Sequence, residues 1–336
     1  MRLCLLTIIA AMTTVSPAAE RHTAEIASQT FRMSTARGPA SEPFEISLDW
    51  SQPLPRVNRA VIVFHGVGRD VSGYYRTVRE AGEQSGAAAR DTIFIAPQFL
   101  DEEDIHEHHL PAEVLRWRRV AWEGGAPAAG PFGISSYEVV DALLARLADR
   151  SVFPNLKSVV LAGHSGGGQL VQRYAVVGKG AAALTSAGIH VRYVVANPSS
   201  YLYFSDERPA RGGGCRDFDR WKYGPADPPA YAKPDTGDTW PQREAAYAQR
   251  DVVYLLGTAD IDPHEKDLDI SCEAEAQGPT RFARGQAYFS YLHGRHPSNW
   301  SQRMWFVPGV AHSARKMFTS ACGVNALFDT GGCSDR

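Results

Sequence analysis

A serine held in a glycine turn is the first place in this chain where chemistry could occur. Gly163-His164-Ser165-Gly166-Gly167 is a Gly-x-Ser-x-Gly turn. Lys157-Ser158-Val159-Val160-Leu161-Ala162 before it reads as a short buried strand, and Gly168-Gln169-Leu170-Val171-Gln172-Arg173-Tyr174-Ala175 after it reads as a helix. So tight a passage from strand to helix strains the serine backbone and lifts its hydroxyl out over the sheet. The flanking glycines are needed because a Cβ there would collide with neighbouring elements. The pentapeptide also arises by chance in glycine-rich chains, so a plain glycine turn is the competing reading. The partners decide between them.

A serine hydroxyl becomes a useful nucleophile when a histidine takes its proton and an acid orients that histidine. Leu255-Leu256-Gly257-Thr258-Ala259-Asp260 places Asp260 just beyond a buried strand. Phe306-Val307-Pro308-Gly309-Val310-Ala311-His312 places His312 just beyond the final one. Asp262 is the rival acid, two residues on. His293 and His296 compete with His312, but they fall at a predicted helix end and are expected to face solvent. His164, inside the turn, is expected to be held by its backbone away from Ser165. Charge developing on a substrate oxygen needs two backbone donors, each worth about 2.7–4 kcal/mol. One is expected from the N–H of Gly166. The other is expected from His65-Gly66-Val67-Gly68-Arg69-Asp70, with Val67 the first choice and Gly68 the second. Those glycines also serve a tight turn.

Strands and helices in alternation must position these groups. Ala60–Phe64, Thr92–Ala96, Val191–Ala196, Val252–Leu256 and Met304–Val307 are apolar runs that read as strands, joined by the run before Ser165. Helices are predicted from about Tyr74 to Gly86, from a capping box at Ser135 and Glu138 to about Ala148, and from about Pro279 to His293. Strands apolar on both faces that alternate with helices imply an α/β fold with a mostly parallel, doubly covered sheet. Phe44-Glu45-Ile46-Ser47-Leu48-Asp49-Trp50 alternates and is expected to be an antiparallel edge strand. Between Asn197 and Ala248 the alternation breaks into Pro, Gly, Asp and aromatics, among them Tyr201, Tyr203, Phe204, Trp221, Tyr231 and Trp240. So long an irregular stretch is expected to be a lid inserted over about 198–248, with a surface loop packed by its own aromatics as the alternative.

With Ser165, Asp260 and His312 in this order at strand ends, the chain resembles the α/β-hydrolase superfamily. The segment His65 to Asp70, followed by Tyr74 and Tyr75, resembles the oxyanion loop of polyhydroxybutyrate-depolymerase-like and feruloyl-esterase-like members. The likeness runs from about Ala60 to Phe318, leaving out the lid. It implies carboxylic-ester hydrolysis through an acyl-enzyme with no cofactor, and it does not fix the ester; the expected substrate is a hydrophobic, aromatic or polyester-type ester, small or polymeric. A peptidase or amidase on the same triad is the nearest alternative, and a non-catalytic exported binding protein the next. Dehalogenase or epoxide-hydrolase chemistry would need an aspartate where Ser165 stands.

The composition, 44% hydrophobic and 21% charged, fits a globular protein rather than a disordered or fibrous one. Residues 1–19 read as a secretory signal peptide: Met1-Arg2, an apolar run from Leu3 to Met12, and Ser16-Pro17-Ala18-Ala19 for cleavage. Residues 20–336 then form the folded domain, secreted or periplasmic. The run is too short to span a bilayer, and no other run is long enough. Cleavage removes only Arg2 among the charges, leaving 34 basic against 37 acidic residues, a net −3 where the whole chain has −2. Nothing in that balance favours nucleic acid or an anionic membrane surface. Four cysteines remain, and the expected pairs are Cys215–Cys272 and Cys322–Cys333. Their spacing lacks a Cys-x-x-Cys pair, so no metal is expected on them. Asp101-Glu102-Glu103-Asp104-Ile105-His106-Glu107-His108-His109 offers metal-ligand types, but a solvated charged loop is the preferred reading. Trp117 and Trp122 beyond it either line a cleft or pack the loop.

Overall fold

The computed structural model describes residues 23–35, 38–131, 133–210 and 215–333. The expected signal peptide lies outside the described residues. In chain order the strands are β1 (Gln29–Thr35), β2 (Gly38–Ile46), β3 (Arg59–Phe64), β4 (Thr92–Pro97), β5 (Leu100–Asp101), β6 (Arg116–Trp117), β7 (Ser158–His164), β8 (His190–Ala196), β9 (Asp251–Gly257) and β10 (Arg303–Val307). The helices are α1 (Val71–Gln84), α2 (Glu102–Glu107), α3 (Ser136–Leu147), α4 (Gly166–Val177), α5 (Ala181–Ser186), α6 (Trp240–Ala248), α7 (Cys272–Glu275), α8 (Arg281–Arg295), α9 (Ala314–Phe318) and α10 (Ala321–Phe328).

The apolar runs become an eight-stranded sheet in the order β1-β2-β4-β3-β7-β8-β9-β10. From β4 to β10 every neighbouring pair is parallel, and β2 runs antiparallel to both β1 and β4. Successive side chains of a strand point to opposite faces, and helices cover both, so both faces are apolar. Ile62 and Phe64 of β3 join a core with Leu143, Leu170 and Tyr174 from α3 and α4. Val61 and Val63 join the opposite core with Val78, Phe318 and Leu327 from α1, α9 and α10. β7 lies in the middle, between β3 and β8, so the turn after it opens at the centre of the sheet's carboxyl edge.

Two local expectations need correction. The alternating run at Phe44–Trp50 was expected at an edge, but its strand ends at Ile46 and lies inside β1, which is the edge. Trp50 is apolar for another reason: it stacks on Phe44 with ring centroids 5.5 Å apart. The stretch expected as a lid over 198–248 is irregular only to Thr239; its last nine residues are α6, the crossover helix between β8 and β9. Thr239 caps that helix and Pro241 sits in its first turn. Of the aromatics before it, Tyr201, Tyr203 and Phe204 are buried and Phe218, Trp221, Tyr223 and Tyr231 half-buried. Tyr201 stacks on Tyr288 of α8 at 4.6 Å, and Tyr203 meets the same ring edge-on at 5.1 Å. Two disulfides are formed, Cys215–Cys272 joining this segment to α7 and Cys322–Cys333 closing the C-terminal turn. No helix among the described residues is long and apolar enough to cross a membrane.

Candidate active site

Ser165 sits between β7 and α4 with φ +59° and ψ −120°, a backbone that a non-glycine residue rarely adopts. Two glycines make that turn possible. A Cβ on Gly163 would lie 2.1 Å from the carbonyl oxygen of Gly167, and one on Gly167 would lie 2.1 Å from that of Phe64. The Ser165 N–H donates to the Ala196 carbonyl at 3.0 Å, locking the turn onto β8. Strain at a single residue persists only where its surroundings fix it in this way.

Asp260 and His312 leave adjacent strands, β9 and β10, and meet. His312 Nδ1 donates to Asp260 Oδ2 at 2.8 Å. Asp260 is 3% exposed, so water does little to weaken that bond. Asp262 is exposed and accepts from the backbone N–H of His264 instead. His293 is exposed, and His296 pairs with Glu244. His164 packs against His312 with ring centroids 4.4 Å apart, and its Nδ1 lies 3.1 Å from the Tyr74 hydroxyl. Burial, then His312 and Arg281, push the His164 imidazole well below its ordinary range, so it stays neutral.

The loop after β3 runs beside the serine. A Cβ on Gly66 would lie 3.8 Å from Ser165 Oγ, and one on Gly166 would lie 3.3 Å from Val67 Cγ1. The structure therefore brings Val67 and Gly166 together at the start of α4. Gly68, the second choice for a donor, is exposed and crowds nothing. His65 holds the loop from beneath. Its Nδ1 donates to the Gly66 carbonyl at 2.8 Å, and its Nε2 accepts from the Phe99 N–H at 2.9 Å. Burial lowers its pKa to about 4.

No protein-family model matches the sequence, and no curated protein does. Among the solved structures similar along most of the chain, two are named as hydrolases of polymers. One is LpqC, a poly(3-hydroxybutyrate) depolymerase from Bordetella parapertussis, 20% identical with TM-score 0.62, covering 91% of each chain. The other is poly(aspartic acid) hydrolase-1 from Sphingomonas sp. KT-1, 20% identical with TM-score 0.58, covering 87% of this chain and 96% of that one. The chain has the α/β-hydrolase fold.

Within the α/β-hydrolase fold the sequence reading missed three supports of the site. Arg281, at the start of α8 and 1% exposed, places Nη1 3.5 Å from Asp260 Oδ1 and Nη2 2.8 Å from Glu265 Oε2. Its Nε donates to Ser199 Oγ at 3.0 Å. No local pattern marks an arginine that will be buried by a distant aspartate. Arg69, in the loop after β3, pairs with Asp104 at 2.6 Å and Asp101 at 3.1 Å. The run from Asp101 to His109 is thus not a solvated loop: it forms α2, opened by a capping box of Asp101 and Asp104, whose three-residue spacing was a readable signal. Trp117 and Trp122 are fully buried and pack around Phe99. Lys222 is the third support, and its ammonium pairs at 2.7 Å with the carboxylate of Glu123, the residue after Trp122.

Proposed function

We propose that the chain is an exported serine hydrolase that cleaves carboxylic esters through an acyl-enzyme. The observation that carries this reading is the 2.8 Å bond from His312 Nδ1 to the buried Asp260, beside a serine held at positive φ. With Nδ1 protonated, the free Nε2 is an acceptor for the Ser165 proton. Ser165 Oγ adds to the substrate carbonyl carbon while Nε2 takes the hydroxyl proton, and Asp260 stabilises the imidazolium that forms. The N–H groups of Gly166 and Val67 hold the oxyanion. Collapse expels the alcohol, which leaves with the proton from Nε2. Water then attacks the acyl-enzyme by the same route in reverse, releasing the acid and restoring Ser165.

Of the two similar structures named above, one is a depolymerase of poly(3-hydroxybutyrate), a polyester, and the other a hydrolase of poly(aspartic acid), an amide-linked polymer, so polyesters are the substrates to try first, with an amide-linked polymer beside them. Two disulfides suit an oxidising compartment, which supports a secreted or periplasmic location. The segment before α6 lies at the carboxyl edge of the sheet and is the proposed determinant of which ester enters. A fluorophosphonate probe tests the reading. Wild type is expected to be labelled and Ser165→Ala to be blank, with ester turnover lost in step. An oxidised, folded wild type that takes no label would refute it.

A further inference from the structure

Gly166 leaves a gap, and what fills it is an acid. A Cβ on Gly166 would lie 2.6 Å from Glu123 Oε1 and 3.2 Å from the Trp122 ring. Glu123 is 1% exposed, and its Oε1 has no hydrogen-bond partner among the described residues. A carboxylate thus stands against Gly166, the first residue of the twelve-residue helix α4 and one of the two residues whose amides are assigned to hold the oxyanion. Left bare, it would oppose the negative charge that those amides must stabilise.

Its counter-charge comes from the irregular segment between β8 and α6. Lys222 Nζ is 2.7 Å from Glu123 Oε2 and 3.7 Å from Asp269 Oδ2. The chain on both sides of that lysine is fixed. Trp221 Nε1 donates to the Gly124 carbonyl at 2.7 Å, and Arg173 Nε donates to the Lys222 carbonyl at 2.8 Å. We propose that Lys222 is a positioning residue that acts through Glu123, neutralising it so that Gly166 and Val67 can hold an oxyanion. The segment is then a working part of the hydrolytic site and not only a cover for it. This rests on Ser165 being the nucleophile.

The other groups around Glu123 do not replace Lys222 as its counter-charge. Arg173 and Tyr137 lie within its field. The Arg173 guanidinium is engaged by the carbonyls of Lys222 and Gln169 and by Ser200 Oγ. The Tyr137 hydroxyl donates to the Glu123 backbone carbonyl at 3.2 Å, and burial keeps it neutral. The His65 ring lies against Trp122 and is uncharged. Asp269 and Tyr223 bond to each other at 2.7 Å on the far side of Lys222. With Lys222 gone, the Glu123 carboxylate is left buried and without a counter-charge beside Gly166.

The test compares kcat of wild type, Lys222→Met, Lys222→Arg and the double variant Glu123→Gln/Lys222→Met on p-nitrophenyl butyrate. Active sites are counted with the fluorophosphonate, and the pH runs from about 6 to 9. Lys222→Met is expected to lose about tenfold to a hundredfold in kcat, with a smaller change in KM. Lys222→Arg and the double variant are expected to recover. Glu123→Gln alone, which keeps the lysine, is expected to match or exceed wild type. A labelled wild type beside a Lys222→Met enzyme of undiminished kcat overturns this inference alone. So does a double variant that folds yet stays as slow as Lys222→Met, or a tenfold fall in Glu123→Gln. A wild type that neither labels nor turns over overturns the nucleophile reading and this one with it.

Discussion

Replacing Asp260 with asparagine tests the proposed triad with almost no change of shape. The carboxylate accepts from His312 Nδ1 at 2.8 Å in a site where it is 3% exposed. Two effects follow from losing its charge. The imidazolium that forms when Ser165 gives up its proton loses an opposite charge at about 4 Å, worth about 4 kcal/mol at an effective dielectric of about 20. That alone is a loss of about a thousandfold in kcat. An amide can also donate to Nδ1, which moves the ring proton to Nε2 and removes the base, taking the loss toward ten-thousandfold. Arg281 keeps its 2.8 Å bond to Glu265 in the variant, so the fold is expected to survive. The assay is kcat on an activated ester, normalised to sites counted in the folded fraction, with Asp262→Asn alongside. Asp262 accepts from the backbone of its own loop, and its variant is expected to stay within about twofold of wild type. An Asp260→Asn enzyme keeping a tenth of wild-type kcat, or an Asp262→Asn enzyme falling as far, would refute the assignment.

Two further outcomes concern stability. His65 is buried and its pKa is lowered to about 4, against about 6.5 in an unfolded chain. Because the unfolded state binds the proton more readily, His65 favours the fold fully above about pH 6.5; that stability is lost as pH falls toward 4 and the loss then levels off, on the order of 3 kcal/mol. Urea unfolding across that range should show a shallower pH slope in His65→Gln than in wild type, and equal slopes would refute the assignment. The disulfide Cys215–Cys272 closes 57 residues of sequence and Cys322–Cys333 closes 11. Chain entropy gives them about 4 and about 3 kcal/mol. Removing the first pair as serines should therefore lower Tm more than removing the second, and the reverse order in a thermal melt would count against it.

Much of the fold was legible because its strands are buried on both faces and so read as unbroken apolar runs. β3, β4, β7 and β9 show this in the sequence, and β8 does so from Tyr193 on, after Arg192. β1 did not, because Gln29-Thr30-Phe31-Arg32-Met33-Ser34-Thr35 is an edge strand whose residues need not be apolar. α6 was hidden because Thr239-Trp240-Pro241 reads as a break until its cap is seen. The candidate site was legible where it hangs on strand ends, as at Ser165, Asp260 and His312. Its supports were not, because Arg281, Arg69 and Lys222 are surface-type residues whose burial depends on partners far along the chain.

The turn around Ser165 was determined locally. Five residues between a strand and a helix need two glycines whatever lies beyond them, and the order of serine, acid and histidine follows the order of strands. The choice of Asp260 over Asp262 was not local, since both lie within three residues and only the neighbouring β10 brings His312 to one of them. Nor was the charge at the start of α4. Glu123 and Lys222 are 99 residues apart, and the sequence offers no term linking them. Backbone geometry is written in short range, whereas the energy of a buried charge depends on what folding places beside it.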